Sequence, residues 1–286
     1  MCYHDAMPKS FLRETAGVFM RAGVVLVTIF MLILLLPAII DTELAVGDGD
    51  CNVAVLPIDG AILPFYGLGD FSLAITPDTV NRFMNSVEEQ GHIDGVLLEI
   101  NSPGGTPVAA ERIAQRFQAS SLPVIGLVGD MAVSGGYLVA AASDYLIASA
   151  MSDVASIGVN MSYLEESQKL EEEGVTYVQL TTGEYKDVGS PNRPITEEER
   201  ALLQADLELI HDEFVRQVAE YRNLSVAEVD GVADGLPIPG LRALDLNLID
   251  QIGGRTEARS IFANILEMDV ADISFCEYER GLFSFY

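Results

Sequence analysis

The sequence predicts an α/β protein whose body is a parallel sheet with crossover helices. Short, continuously apolar runs alternate with amphipathic runs along the chain. Turns that contain glycine separate the two kinds of run. The apolar runs contain few polar residues, as expected of parallel strands that are covered on both faces. The 286 residues suffice for one large domain or two small ones.

The first half of the body shows this alternation most clearly. A strand is predicted at 51–63, where β-branched residues lead into a glycine turn. A loop at 64–72 follows, and a helix is predicted from Thr76, where a Thr-Pro pair gives a typical helix start. Strands are then predicted at 94–101, 122–130 and 144–150, and helices at 106–120 and directly after Ser134. The glycines of "SPGG" are predicted to end the strand that begins at residue 94.

The second half of the body is predicted to continue with a helix, a strand, a loop and a long helix. The pattern at 162–174 indicates an amphipathic helix, and the pattern at 175–183 indicates a strand. A loop or strand end follows at 184–194. A long helix is predicted from Thr196 to Arg222, because "TEEE" places acidic residues in its first turn. The last residues, from 273, are predicted as a strand with an aromatic tail.

An apolar segment near the N-terminus predicts a membrane anchor. Residues 22–40 contain no charge over 19 residues, about the length that crosses a bilayer as a helix. Basic residues precede the segment and acidic residues follow it, so residues 1–21 are expected in the cytoplasm. Residues 41–50 would then be a linker, and the body would lie outside the cell membrane. A cleaved signal peptide is the alternative.

The charge balance excludes one class of partner. The chain has 43 acidic and 16 basic residues, a net charge of −27, so we expect no nucleic acid partner. Only three of the bases are lysines, namely Lys9, Lys169 and Lys186. Abundant acid with scarce lysine is typical of a halophilic surface, on which high salt screens self-repulsion. An ordinary acidic protein is the alternative.

The cysteines and histidines do not predict a metal site. Cys2, Cys51 and Cys276 lack metal-ligand spacing, and so do the three histidines. Cys51 and Cys276 could form a disulfide only if the fold brings them together, which the sequence does not show. We therefore predict no metal ion and no cofactor.

Ser134 is the candidate nucleophile. It lies between an apolar run and two glycines, and an alanine-rich helical pattern follows. One interpretation is a helix N-cap, since a serine oxygen can accept a backbone N–H of the first turn. The other is a nucleophile beside two glycine turns, at 100–105 and 133–136. Amides at the start of helices bind negative charge, so adjacent turns would form an oxyanion hole.

A serine nucleophile needs a general base. His92 lies in a turn and His211 lies within the long predicted helix, and neither is part of a motif. Lys169 belongs to an ordinary solvated helix face. Lys186, in "GEYKDVGSP", is the better candidate, provided that an apolar site lowers its pKa.

Five blocks in order resemble the signal peptide peptidase A type of serine peptidase, family S49. They are "LLEINSPGG", "GDMAVSGGYLVAAASDYLIAS", "VASIGV", "GEYKDVGSPNRPITEEER" and "GLPIPGLRALDLNLIDQIGG". The resemblance covers roughly residues 51–265 and implies a peptidase domain at 51–267, followed by a tail at 268–286. It also implies a ClpP/crotonase-like spiral of βαβ units. Two positions depart from the family pattern: Val133 replaces the usual alanine, and Ala155 replaces the usual glycine.

The resemblance implies a role for five residues. Ser134 would be the nucleophile, Lys186 the general base and Ser156 the residue that orients the lysine. Gly105 and Gly135 would supply the oxyanion hole. Members of the family form rings or domes in which a neighbouring protomer can supply the lysine, so a homo-oligomer is expected.

The expected activity is a membrane-anchored serine endopeptidase with a Ser-Lys dyad. It would cleave remnant signal peptides or other apolar peptides derived from the membrane. The alternatives are general quality control of membrane proteins, an inactive scaffold with the same fold, and a crotonase-like acyl-CoA enzyme. The last would need a CoA-phosphate site, which suits an acidic body poorly.

Overall fold

The computed structural model describes residues 25–28, 30–31, 51–65 and 74–277. The chain divides into two compact units, Met1–Ala45 and Val46–Tyr286. In the first unit, residues 25–28 and 30–31 are helical. Within the described residues, no helix has both the length and the apolar character needed to cross a membrane. The cytoplasmic segment 1–21, most of the anchor at 22–40, the linker 41–50 and the tail beyond residue 277 lie outside the described residues.

The second unit is built on a sheet whose central strands are parallel. The path of the sheet is β2-β1-β3-β4-β5-β8, while β6 pairs with β4 and β7, and β9 pairs with β1. The strands are β1 (Val53–Ile62), β2 (Ala74–Ile75), β3 (Gly95–Gly105), β4 (Val124–Val133), β5 (Tyr145–Ala148), β6 (Asp153–Ala155), β7 (Pro237–Pro239), β8 (Gln251–Ile252) and β9 (Phe275–Cys276). All pairs are parallel except β6 with β7, which confirms the predicted class.

Eight helices and one short 3₁₀ turn occur in the described part of this unit. The helices are α1 (Pro77–Glu89), α2 (Pro107–Gln118), α3 (Gly135–Ala141), α4 (Ser167–Glu172), α5 (Glu197–Tyr221), α6 (Val226–Asp230), α7 (Gly240–Asp245) and α8 (Arg255–Leu266), and the 3₁₀ turn is Val270–Asp272. The helix predicted at 196–222 is confirmed with its first-turn acids. Thr196 and Glu199 form a capping box at its start.

The core covers both faces of the central strands. On one face, α8 packs Phe262 against residues that alternate along β1 and β3, such as Val55 and Leu97. The intervening residues Leu56 and Leu98 are also buried, and α3 contacts β3 and β4. The apolar strands of the sequence are therefore strands covered on both sides, as predicted.

Three details of the predicted elements are wrong. The glycines at 104 and 105 do not end β3, because they continue its pairing with Ala61 and Ile62 of β1. The strand predicted at 175–183 is absent, and these residues are exposed. The helix predicted at 162–174 is shortened to Ser167–Glu172. Alternating residues resemble a strand in sequence, but no neighbouring strand pairs with residues 175–183 in this chain.

The structure pairs the two cysteines whose pairing the sequence left open. Cys51 and Cys276 form a disulfide with Cα atoms 5.2 Å apart and a sequence separation of 225 residues. Cys276 lies in β9, which pairs with the start of β1. The bond therefore joins the two ends of the described body at neighbouring strands.

Candidate active site

Ser134 connects the end of β4 to the start of α3. Its backbone angles are φ 52° and ψ −130°, a conformation that costs energy for any residue with a side chain. Its amide donates a hydrogen bond to the carbonyl of Ala155 at 2.8 Å. Its side chain makes no capping hydrogen bond to the helix, although it occupies the N-cap position. The N-cap interpretation is therefore wrong, and the hydroxyl is not used to cap α3.

The two glycine turns touch each other. A Cβ built on Gly104 would lie 2.7 Å from the amide nitrogen of Gly135 and 2.9 Å from the Cβ of Ser134. A Cβ on Gly135 would lie 3.4 Å from the amide nitrogen of Gly105. The parallel pairing of β3 with β4 creates this approach, since Ser102 is the partner of Ala132. The amides of Gly105 and Gly135 thus lie close to the same serine.

Gly135 is the first residue of α3, where a backbone N–H has no acceptor within the helix. Its side of the turn is packed tightly, because a Cβ there would lie 3.0 Å from that of Ala110. A Cβ on Gly105 would overlap the carbonyl oxygen of Ile62. A side chain at Gly105 would therefore require a backbone shift, and one at Gly135 would require Ala110 to move by a few tenths of an ångström.

Ser102 and Gly104 support the site and were missed in the sequence analysis. Ser102 is fully buried; its hydroxyl donates to the carbonyl of Gly60 at 2.7 Å and accepts from the amide of Gly104 at 3.1 Å. Gly104 has φ +91°, which favours glycine. The adjacent glycines of "SPGG" were the available signal for Gly104. Only the cross-strand geometry shows what Ser102 does.

Tyr137 holds α3 from its other side. The side chain is fully buried, and its hydroxyl donates to the carbonyl of Leu248 at 2.8 Å. Burial raises the pKa of this phenol far above its ordinary value, so the group stays neutral and continues to donate. The helix that follows Ser134 is thereby tied to the chain before β8.

Two cavities meet at Ser134. The apolar cavity has a volume of about 750 Å³, and the polar cavity has a volume of about 680 Å³. Both are lined by Ser134 and by residues 158–160. The apolar cavity is also lined by Gly105, Gly135, Val108, Leu138, Leu209 and Phe214. A chain lying across Ser134 would reach both cavities.

Ser156 lines the polar cavity together with Ser134. Its hydroxyl donates to the carbonyl of Gly235 at 2.7 Å. Ser156 has φ 51°, and the preceding Ala155 has φ 66°. Glycine adopts such left-handed angles without strain, whereas Ala155 and Ser156 adopt them at a cost in energy.

Lys186 is not among the residues that line either cavity. It lies in an exposed turn of the connecting segment, by which we mean residues 156–196 between β6 and α5. Its amide donates to the carbonyl of Gly183 at 3.2 Å. The structure therefore brings Ser134, Gly105, Gly135 and Ser156 together at the two cavities within one chain, whereas Lys186 lines neither cavity.

The other candidate bases occupy different surroundings. His211 of α5 lines the polar cavity with Ser134 and Ser156. His92 is exposed in the turn before β3. Lys169 forms an exposed ion pair with Glu166 at 3.3 Å, as expected of a solvated helix face.

A polar cluster lies at the apolar cavity. The side-chain nitrogen Nε2 of Gln217 donates to Glu111 Oε1 at 2.9 Å and to Glu213 Oε1 at 2.7 Å. Hydrogen bonds from Arg216, and then from Gln217, hold the pKa of Glu213 at about 2. Gln217 is buried, and its Oε1 is the one buried side-chain oxygen or nitrogen in the described chain without a hydrogen-bond partner.

The sheet and the paired turns define the class of protein: an α/β chain with a ClpP-like fold. A family model described as peptidase family S49 matches residues 116–268, just over half of the chain. The chain therefore belongs to peptidase family S49.

Curated relatives agree with this family. A protein of Methanocaldococcus jannaschii named "putative protease" is 34% identical over 207 residues, which are 71% of this chain and 66% of the relative. The "putative signal peptide peptidase SppA" of Enterococcus faecium is 33% identical over 71% of this chain and 59% of its own length. Protease 4 of Haemophilus influenzae is 31% identical over 72% of this chain and 34% of its own length. The matched region thus spans about two thirds or less of these three relatives.

Proposed function

We propose that the chain is a membrane-anchored serine endopeptidase with Ser134 as nucleophile and Lys186 as general base. The observation that carries the proposal is the hydroxyl of Ser134, which sits in a strained turn, does not cap its helix and adjoins the amides of two glycine turns. An ordinary strand-to-helix connection needs none of these features.

The reaction begins when the Ser134 Oγ attacks a peptide carbonyl and neutral Lys186 accepts the hydroxyl proton. The Gly105 and Gly135 amides donate to the resulting oxyanion, each worth about 3 kcal/mol in comparable sites. Collapse of the intermediate breaks the C–N bond, and the lysine returns its proton to the leaving amine. Water, deprotonated by the same lysine, then hydrolyses the acyl-enzyme and restores Ser134.

A neighbouring copy of the chain would supply Lys186. This is supported by the position of Lys186 outside both cavities at Ser134. It is also supported by the apolar residues that the connecting segment exposes, since such surface usually marks an interface. Leu164, Val178 and Leu180 are 81%, 71% and 92% exposed. Ser156, which lines the polar cavity, would orient the incoming amine.

The substrate is proposed to be an extended apolar peptide, such as a remnant signal peptide or another peptide released from the membrane. The apolar cavity beside Ser134 supports this choice, since its walls include Val108, Leu138 and Phe214. General quality control of membrane proteins would use the same chemistry. A catalytically inactive scaffold remains the alternative from another class.

The proposed location is the cell membrane, with residues 22–40 as the anchor and the catalytic domain outside the cytoplasm. The charge asymmetry around the apolar segment supports this orientation. The Cys51–Cys276 disulfide supports it independently, because disulfides persist mainly outside the reducing cytoplasm. The acidic, lysine-poor composition supports a high-salt environment.

The test compares wild type, Ser134→Ala, Lys186→Ala and His211→Ala in detergent and high salt. Labelling by a fluorophosphonate probe and cleavage of an apolar peptide are measured in parallel. We expect Ser134→Ala and Lys186→Ala to lose both signals and His211→Ala to keep them. If His211→Ala loses labelling and cleavage while Lys186→Ala retains both, the general base is His211.

Mixing tests the shared site. Ser134→Ala and Lys186→Ala are combined at equal concentration after dissociation and reassembly. Recovery of activity in the mixture is expected if a serine from one copy meets a lysine from another. An inactive mixture, with each variant assembled normally, would contradict the shared site. Inactivity of assembled wild type toward every probe would instead favour the scaffold.

A further inference from the structure

Arg193 makes an unusual set of hydrogen bonds close to Lys186. Its guanidinium donates to Asp187 Oδ2 at 2.9 Å and to the Asp187 carbonyl at 3.1 Å. It also donates to Glu199 Oε1 at 2.6 Å and to Glu199 Oε2 at 2.9 Å. Only 22% of the Arg193 side chain and 7% of the Glu199 side chain are exposed. A planar guanidinium suits such bidentate contacts, which a lysine ammonium cannot reproduce.

One end of this network fixes the residue next to Lys186. Asp187 has both carboxylate oxygens occupied, because Tyr177 donates its hydroxyl to Oδ1 at 2.8 Å and Arg193 donates to Oδ2. The backbone carbonyl of Asp187 is bound by Arg193 as well. Asp187, the residue that follows Lys186, is therefore held through both its side chain and its main chain.

The other end of the network is the start of α5. Glu199 Oε2 accepts the amide of Thr196 at 2.9 Å, and Thr196 Oγ1 accepts the amide of Glu199 at 3.2 Å. Further along, α5 carries His211 and Leu207, which line the polar cavity at Ser134. Arg193 thus joins the turn that carries Lys186 to the helix that forms one wall of the Ser134 cavity.

Apart from Arg193, one other side chain ties the Lys186 turn to α5, because the hydroxyl of Tyr185 donates to Glu198 Oε1 at 2.8 Å. Regular secondary structure gives the turn little support. Between β6 and α5, the only helix in the structure is α4, at Ser167–Glu172, and no strand occurs. Residues 181–186 are all exposed. A general base on an unrestrained turn would lose orientational entropy at every catalytic encounter, and a fixed turn avoids that cost.

We propose that Arg193 is a positioning residue for Lys186, which it holds in a fixed direction for use as the general base. The inference rests on the proposed function, because it assigns the purpose of the network to the Ser134–Lys186 reaction. The alternative is that Arg193 only stabilises the start of α5.

The variants are Arg193→Gln and Arg193→Lys, with Arg116→Gln as the matched control. Arg116 also makes a bidentate contact, to Glu88 at 3.1 and 2.7 Å, and its side chain is 15% exposed, but it joins α2 to α1. Asp187→Asn is the second variant, should Arg193→Gln fail to fold. It weakens the contact beside Lys186 and leaves the Arg193–Glu199 pair and the capping box in place.

The first readout does not depend on activity. Lys186 and Lys169 are the two lysines of the described chain, and both are exposed. Cleavage after each by a lysine-specific endoprotease is followed by mass spectrometry in a Ser134→Ala background, with Lys169 as the internal reference. Each sample is quenched and its Cys51–Cys276 disulfide reduced before the masses are measured, so that cuts at the two lysines give different fragments. We expect the rate at Lys186, relative to Lys169, to rise at least tenfold in Arg193→Gln and to stay unchanged in Arg116→Gln. An unchanged ratio in Arg193→Gln would overturn the inference.

The second readout is the kinetics of peptide cleavage with the native serine. We expect Arg193→Gln to lower kcat at least tenfold with little change in KM, because a misplaced general base fails in proton transfer while the peptide still binds. Arg193→Lys should restore little. A kcat close to that of wild type in Arg193→Gln would overturn the inference.

The two readouts separate this inference from the proposed function. If the relative cleavage at Lys186 rises in Arg193→Gln while Lys186→Ala retains full activity, the restraint on the turn is real but the assignment of the base is wrong, so both the positioning role and the dyad fail. If Lys186→Ala is inactive and both readouts are unchanged in Arg193→Gln, the dyad stands and only the positioning role fails.

Discussion

Gly104 shows how much of the site depends on the absence of one atom. Its φ is +91°, and a Cβ built on it would lie only 2.7 Å from the amide nitrogen of Gly135, so a side chain does not fit. Gly104→Ala should push the two glycine turns apart. We expect a loss of unfolding free energy of about 1–3 kcal/mol and at least a tenfold loss of peptide cleavage.

Gly91→Ala is the control for this prediction. A Cβ on Gly91 would meet nothing within 4 Å, so stability and activity should stay close to wild type. The measurements are urea unfolding and peptide cleavage in high salt. Full activity in Gly104→Ala would mean that the spacing of the two turns does not matter for the reaction.

Gln217 gives a second prediction for a single residue. Both of its amide hydrogens are donated to carboxylates, so Gln217→Glu would place a third carboxylate between Glu111 and Glu213. We expect it to lower the unfolding free energy at pH 7 by about 2–4 kcal/mol. Desolvation and the neighbouring charges raise the folded-state pKa of the introduced group. The penalty is therefore complete above that pKa and is lost as the pH falls toward the ordinary pKa of a glutamate, about 4.3.

The matched control is Gln204→Glu on the same helix. Gln204 is exposed and donates to Glu208 at 3.1 Å, so its replacement should cost little. Urea unfolding of both variants at pH 7 and at pH 4.5 measures the difference. Equal stability of the two variants at pH 7 would contradict the description of the Gln217 cluster as buried and acceptor-rich.

The sequence identified some residues of the site and missed others for a physical reason. Ser134, Gly105 and Gly135 stand in motifs whose spacing is visible in the chain. Ser102 and Gln217 act through contacts 42 and 106 residues away, to Gly60 and Glu111. Nothing in the local pattern encodes such partners.

At the scale of elements, the start of α5 is expected to make the unfolding free energy depend on pH. Hydrogen bonds from Arg193, and then from the Thr196 amide, lower the pKa of Glu199 from its ordinary value of 4.5 to about 2. A lowered folded-state pKa contributes stability that is fully present above pH 4.5 and is lost as the pH falls toward 2. Glu199→Gln should therefore flatten the pH dependence of unfolding within that window.

The measurement is urea unfolding of wild type and Glu199→Gln between pH 2 and pH 6. Glu228→Gln serves as the comparison, because Glu228 forms the analogous capping box with Ser225 on the short helix α6 but has no arginine partner in the described structure. Identical curves for Glu199→Gln and wild type would remove Glu199 from the acid response.

The elements also show where periodicity succeeds and where it fails. Acidic residues in the first turn, a capping residue and a long pattern all predicted the helix at 196–222. Its bounds were confirmed within one residue at each end. The strand at 175–183 was predicted only from the alternation of apolar and polar residues. Such alternation indicates that one side of a strand could be apolar, but a strand also needs a neighbour with which to exchange hydrogen bonds. No strand pairs with these residues in the structure.

For the whole molecule, the Cys51–Cys276 disulfide predicts a dependence on redox state. The bond constrains the unfolded chain over 225 residues, so its removal should lower the unfolding free energy by about 2–5 kcal/mol. Cys276→Ser is compared with oxidised and reduced wild type in guanidinium chloride. Equal midpoints for all three would show that the bond does not contribute to stability.

The net charge of −27 predicts a dependence on salt for the whole molecule. Raising the ionic strength from 0.1 M to 1 M shortens the screening length from about 10 Å to about 3 Å and weakens self-repulsion. We expect the Tm to rise over this range in sodium chloride. A Tm that falls or stays level would identify the chain as an ordinary acidic protein.

The class of fold was predictable because it depends on composition and order, which the sequence displays directly. The path of the sheet was not, since β6 pairs both with β4 and with β7, which begins more than 80 residues further along the chain. The pairing of Cys51 with Cys276 became visible only when β9 was seen beside β1.

The same disulfide makes the body a closed covalent ring from Cys51 to Cys276. A ring that is cut once becomes a linear molecule of unchanged mass, apart from one added water, and releases no fragment. A single cut in an exposed turn, such as the one that carries Lys186, therefore leaves the two pieces attached until a reductant is added. Proteolytic damage to this protein would pass unnoticed on a non-reducing gel, and the nicked enzyme would keep both halves of its sheet together.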